Sequence, residues 1–205
     1  MIKLTVCKIY VFFGPRYFHI PYFYPLKLHT LKTILSGTQV AITVDRLCHQ
    51  LIENHGDFSK TALIGLQPRG IYLADRIYNT LQKLLPGVKI QYGRIDITFY
   101  RDDFNKGKAL HVPNETAIDF SIENKKVVLI DDVLYTGRTT RSALDAMLDF
   151  GRPSEVELLV LIDRRFTREL PIQADYVGRT IDAVNSEMVK VRWKDRDGHD
   201  DVIIE

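Results

Sequence analysis

Thiols are scarce in this chain. Its two cysteines, Cys7 and Cys48, lie far apart and form no metal-ligand spacing. A sequence of 205 residues with 45% hydrophobic content is long enough to bury a core without disulfides, so the cysteine usage indicates a reducing compartment, the cytoplasm. No apolar run approaches the length that crosses a bilayer, and no small-residue cleavage site follows the short apolar stretch Ile9 to Phe13, so neither membrane anchor nor export signal is expected. Charge of one sign is also missing: 28 basic and 26 acidic residues leave a net +2, which excludes a general nucleic-acid binder and confines any polynucleotide contact to a local patch. The six histidines form no arrangement that demands a catalytic or metal role. Between Ile34 and Glu205 there is no internal repeat and no low-complexity segment.

Residues 1–33 differ from the rest, with tyrosines and phenylalanines crowded between Pro15, Pro21 and Pro25. Lacking periodicity, they read as a poorly ordered extension ahead of one domain over residues 34–205. In that domain Val40, Val44, Leu47, Leu51 and Ile52 recur at helical spacing behind Ser36 or Thr38 as cap, and Thr61 to Leu66 is a short apolar strand. A helix from Ile71 to Leu85 ends at Pro86-Gly87, and Val88 to Arg101 reads as a long β segment that folds back on itself. Asp102 to Asn124 is polar and broken by Gly107 and Pro113, a mobile loop. Val156 to Ile162 and Met188 to Trp193 read as further strands. Strands and helices alternate, which predicts an α/β fold with a mainly parallel sheet flanked by helices.

The most informative stretch is Val127-Val-Leu-Ile-Asp-Asp-Val-Leu-Tyr-Thr-Gly-Arg-Thr139. Its four leading apolar residues suit a strand covered on both faces, which puts Asp131 and Asp132 at the carboxyl end, where open α/β sheets bind ligands. Ionised carboxylates accept hydrogen bonds from vicinal sugar hydroxyls. Thr136, Gly137, Arg138, Thr139 and Thr140 then supply hydroxyls, a pliable backbone and a cation where a helix begins through Ala143, Leu144, Met147 and Leu148, and free amides there favour a phosphate. A plain strand-to-helix connection needs one acidic cap, whereas this one carries two acids and a Thr-Gly-Arg-Thr turn.

These residues resemble the phosphoribosyl pyrophosphate (PRPP) signature of type I phosphoribosyltransferases. Ile95-Asp96-Ile97-Thr98-Phe99-Tyr100-Arg101-Asp102-Asp103, Gly151-Arg152-Pro153-Ser154, Arg168-Glu169-Leu170-Pro171-Ile172 and Ala174-Asp175-Tyr176 resemble the bacterial bifunctional branch that joins pyrimidine operon attenuation to uracil phosphoribosyltransferase activity. The resemblance implies a type I phosphoribosyltransferase fold with a flexible hood, in which Asp131, Asp132, Arg69 and Arg101 are the catalytic candidates. It assigns PRPP to Val133, Leu134, Tyr135, Thr136, Gly137, Arg138 and Thr139, with Gln67, Pro68 and Gly70 as the pyrophosphate loop. Arg101 would belong to the hood that shuts out water. Pro68 also allows a cis peptide.

For the nucleobase the resemblance points to Arg164, Met188 and Val189. Hypoxanthine-guanine enzymes usually carry Asp just before the Thr-Gly turn; Tyr135 stands here, which disfavours a purine. The branch further implies Mg2+ bound mainly through PRPP, uracil and uridine monophosphate (UMP) as partners, and a homo-oligomer, dimer or higher. It also implies RNA contacts through Arg46, His49, Arg168 and Arg179. Asn54, Thr167 and Gln173 replace basic residues of that branch, and losing several cations at once weighs against RNA binding. No general base for uracil and no protein-only metal cage emerge.

Overall fold

The computed structural model describes residues 31–100, 116–183 and 187–205 in full, and residues 7–13 and 16–22 by their backbone. The chain divides into residues 1–30 and 31–205. In the first, β1 (Cys7–Phe13) and β2 (Arg16–Tyr22) pair antiparallel. The sequence reading placed no strand there. Pro21 lacks an N–H, but in a two-stranded ribbon every strand is an edge and tolerates one. The expectation of poor order also falls on residues 1–6, 14–15 and 23–30, which lie outside the described residues.

The second unit begins with β3 (Lys32–Leu35) and α1 (Gly37–His55). Ser36 caps α1 through a capping box: its hydroxyl accepts from Gln39 N, while the Gln39 side chain accepts from Ser36 N at 2.9 Å. Then follow β4 (Thr61–Leu66), α2 (Gly70–Leu84), β5 (Gln91–Ile95), β6 (Lys126–Leu134), α3 (Arg138–Met147) and β7 (Glu155–Arg165). β8 (Tyr176–Asp182), β9 (Val189–Arg192), a four-residue helix α4 (Lys194–Asp197) and β10 (Asp201–Ile204) complete the chain. Five strands form one parallel sheet in the order β5-β4-β6-β7-β8, and β3-β10-β9 form a small antiparallel sheet.

Strand side chains alternate between faces, and the core divides accordingly. Leu63, Val128, Ile130, Leu159 and Leu161 pack with α1 and α2, whereas Ile64, Val127, Leu129, Leu158 and Val160 pack with Ala143, Ala146 and Met147 of α3. The same period of two sends Asp131 to the α3 side and Asp132 to the α2 side.

Two expectations are corrected. The β segment ends at Ile95 instead of running to Arg101, because the Asp96 carboxylate accepts from both Thr98 N and Thr98 Oγ1 (2.9 and 2.6 Å) and turns the chain into a 3-10 turn, Thr98–Tyr100. Among the described residues the foldback is an antiparallel bridge between Arg94 and Ala117. Leu148, expected on the buried face of α3, is exposed, because α3 tightens into a 3-10 turn over Leu148–Phe150 and leaves its periodicity.

Candidate active site

Register creates the crevice. β4 pairs with β6 only as far as Gly65 opposite Ile130, while β7 follows β6 to Leu134 opposite Asp163. Beyond Ile130, the β4 side of β6 is therefore open. This is also where the chain winds in opposite directions, towards β5 on one side and β7 on the other, the position at which α/β sheets bind ligands.

Asp131 and Asp132 stand in this gap, both buried. Asp131 Oδ1 accepts from Asp132 N at 2.9 Å. Arg69 Nε donates to Asp132 Oδ2 at 3.1 Å, and its Nη2 donates to the Val191 carbonyl of β9. Burial pushes the Asp131 carboxyl well above the usual range, with the neighbouring Asp132 charge adding to it. Burial also raises Asp132, against the lowering influence of Arg69. The pair is held ready for partners that replace water.

Gln67, Pro68, Arg69 and Gly70 connect β4 to α2. Gln67 N donates to Ile95 O at 3.0 Å, and the Gln67–Pro68 peptide is cis. Gly70 is a steric requirement: a Cβ there would stand 2.6 Å from Ile130 O and 2.9 Å from Asp131 Cα, so only glycine lets α2 start against the acid-bearing strand.

Two cavities flank the acids. One, of about 250 Å³, is lined by Asp131, Val133 to Thr140 and Ser142. It is the cradle in front of α3, with Gly137 at φ 92° forming the turn that a side chain would strain. The other, an open cleft of about 520 Å³, is bounded by Asp132 and Arg69 on one side and Met188, Val189, Lys190 and Val191 on the other, with Val133, Tyr135, Arg164 and Glu187 completing its wall. Arg164 is buried, donates from Nη2 to Glu187 O at 3.0 Å and stacks its guanidinium 4.2 Å over the Tyr135 ring. Together they give the cleft a flat, partly cationic wall.

The sequence candidates Arg69, Asp131, Asp132, the 133–139 loop, Arg164, Met188 and Val189 thus lie around one crevice. Arg101 lies outside the described residues. At the root of its segment, Tyr100 is anchored to α3 and to the 3-10 turn after it: Ser142 Oγ donates to Tyr100 O at 3.0 Å, and Tyr100 Oη donates to Asp149. Of the RNA candidates, Arg46 and His49 are on α1 and Arg179 is on β8. Arg46 Nη2 donates to Val177 O and Gly178 O at 3.1 and 2.6 Å, Arg179 Nη1 to Ile34 O at 3.0 Å, and His49 is exposed. Arg168 instead adjoins the phosphate-type loop.

Sequence reasoning passed over Lys190, Val191 and Ser142. Val191 contributes a carbonyl, which no side-chain pattern announces. Ser142 carried a signal, being four residues beyond Arg138 on the first turn of α3.

A crevice of this form, on this sheet, defines a phosphoribosyltransferase: a model of the phosphoribosyl transferase domain matches residues 30–196, and the chain belongs to that family. Within the family it is 46% identical over 179 residues to the protein named Bifunctional protein PyrR in Desulfosudis oleivorans, a match covering 87% of this chain and 98% of the relative. It is 44% identical over 173 residues to the protein of that name in Elusimicrobium minutum, covering 84% and 96% of the two chains. Among solved structures, the hypoxanthine phosphoribosyl transferase of Trypanosoma cruzi has the same fold, with a TM-score of 0.64 at 17% identity over 84% of this chain and 90% of that one.

Proposed function

We propose that the protein transfers the phosphoribosyl group of PRPP to N1 of uracil, giving UMP and pyrophosphate. The observation that carries this reading is the carboxylate pair in the register gap of β6, with an anion cradle on one side and a flat-walled cleft on the other. Asp131 and Asp132 accept the ribose hydroxyls. Amides and hydroxyls of Thr136 to Thr140 hold the 5′-phosphate at the start of α3. Arg69, already at the edge of Asp132, neutralises the leaving diphosphate as the glycosidic bond breaks. The base lies in the cleft between the Tyr135–Arg164 wall and Met188 and Val189. Chemistry then follows from positioning and charge stabilisation, with no covalent enzyme intermediate.

Among the described residues no three carboxylates, histidines or thiols converge on a metal position. A magnesium ion would therefore be held by phosphate oxygens and water, with Asp131 and Asp132 as the adjacent acids, and would supply charge neutralisation of the diphosphate. What favours a pyrimidine is the resemblance to the bifunctional branch, together with Tyr135, stacked under Arg164, where the resemblance places the Asp of hypoxanthine-guanine enzymes. With PRPP and a panel of free bases, pyrophosphate release is expected with uracil and little with hypoxanthine or guanine. A preference for purines would overturn the assignment.

The word bifunctional in the relatives' name motivates a second reading, UMP-dependent binding of pyrimidine leader RNA. Three of the four candidate cations already hold intramolecular carbonyls or carboxylates. A gel-shift assay with the organism's pyrimidine leader RNA and UMP is expected to give weak retention or none; nanomolar, UMP-dependent retention would establish RNA control instead.

A further inference from the structure

The Arg168–Ile172 segment follows β7 and lies against the Tyr135–Arg138 loop. In the structure it grips the phosphate-type loop residue by residue. Arg168 Nη1 donates to the Tyr135 carbonyl, and Nη2 donates to Asp163 Oδ1 at 2.5 Å. Glu169 N and Leu170 N both donate to the Thr136 carbonyl, at 3.0 and 3.2 Å. A Cβ on Gly137 would meet Ile172 and Leu170 side chains at 3.3 to 3.4 Å. Arg138 Nε donates to Glu169 Oε2 at 2.6 Å.

Peptide planarity gives this grip a direction. In a trans peptide the C=O of one residue and the N–H of the next point opposite ways. Fixing the Tyr135 and Thr136 carbonyls on the clamp therefore turns the Thr136 and Gly137 amides away from it. That side is the cavity lined by Thr136 to Thr140. Two successive amides aimed at one point form an anion-binding concavity, and its affinity depends on both being held in that orientation.

We propose that Arg168, anchored on Asp163, is a positioning residue that fixes the Tyr135 carbonyl and so aims the Thr136 amide at the 5′-phosphate of the donor, while the Glu169 and Leu170 amides on the Thr136 carbonyl aim the Gly137 amide beside it. The inference rests on the proposed role of this loop in binding PRPP. Arg168 itself touches neither the donor nor the base. Its guanidinium suits the task because two N–H groups on one rigid plane reach two acceptors, the Asp163 carboxylate from β7 and the carbonyl of Tyr135 just beyond β6.

The test is steady-state kinetics on the full chain, with PRPP binding followed by calorimetry. Arg168→Ala is expected to raise KM and Kd for PRPP at least about tenfold while KM for uracil stays within about twofold, since a charged donor's hydrogen bond to the Tyr135 carbonyl is lost. Arg168→Lys, which keeps the charge but reaches one acceptor well, is expected to recover part of that loss. Asp163→Asn, which loosens the anchor without touching the loop, is expected to shift PRPP affinity the same way by a smaller factor. Should Arg168→Ala not fold, the last two variants decide. Unchanged PRPP affinity in the variants, or an equal rise in both KM values, overturns the positioning role. Failure of the wild-type chain to bind PRPP would instead overturn the functional reading beneath it.

Discussion

Replacing Asp131 and Asp132 together by asparagine is expected to lower kcat/KM for PRPP by roughly 10²- to 10⁴-fold, because two charged acceptors worth about 1.5–3 kcal/mol each are lost. The fold should survive, and for Asp131→Asn alone it should become more stable. Burial raises the Asp131 carboxyl, so the folded chain binds this proton more tightly than the unfolded chain does. Protonation at this site thus favours the native state below the ordinary carboxylate range, and that advantage is lost as pH rises through the raised value. At neutral pH a buried, ionised Asp131 is a cost. Asparagine is neutral and keeps an oxygen for Asp132 N, so a gain of about 1 kcal/mol, or about 2–4 °C in Tm, is expected by calorimetry at pH 7. Catalysis has the opposite dependence, since the ribose needs ionised acids: PRPP affinity should fall as pH drops through values above the normal carboxylate range. Near-normal turnover in the double variant would dismiss the pair as the ribose site.

The second large effect is expected at Gly70, which meets no ligand in the proposed mechanism through a side chain because it has none. Alanine there would place a methyl carbon 2.6 Å from Ile130 O and 2.9 Å from Asp131 Cα, both backbone positions of the central strand. Neither can yield by a rotamer change, so the start of α2 must withdraw. Overpacking of this kind costs about 1–3 kcal/mol in stability. It also moves Arg69 and the acids apart, and a displacement of about 1 Å near reacting groups is enough for roughly a 10²-fold loss of activity. Circular dichroism and pyrophosphate release on Gly70→Ala would read the two effects separately; a fully active, equally stable variant would show that the close approach is unimportant.

The parts of the site that the sequence announced are those whose signal is local. Val127 to Ile130 are apolar on both faces because both faces are covered, and the acids end that run. Gly137 and the threonines after it mark a turn into a helix within a few residues. Arg69 could be placed beside the site only through the order of strand, turn and helix; its pairing with Asp132 crosses 63 positions. The role of Arg168 was hidden for the same reason. Its acceptor Tyr135 is 33 residues away, and an exposed-looking cation in a polar motif reads as a surface charge until the loop is folded beside it. The premature end of β5 was legible in principle, since Asp96 and Thr98 form a side-chain turn that competes with extension, but the β-rich composition around it dominated. In residues 7–22, Gly14-Pro15 between two aromatic runs was a hairpin signal that the neighbouring prolines obscured.

The small sheet adds a constraint of its own. β9, which supplies Val189, Lys190 and Val191 to the open cleft, is bonded to β10, and β10 in turn to β3, so residues 189–192 are stitched through 201–204 to 32–35. The Val189–Val191 wall of the open cleft is therefore braced by strands from both ends of the 31–205 unit. Removing residues 32–35 or 201–204 would strip β9 of its brace and take buried Leu35, or Val202 and Ile203, out of the core, so cleft and fold are expected to loosen together.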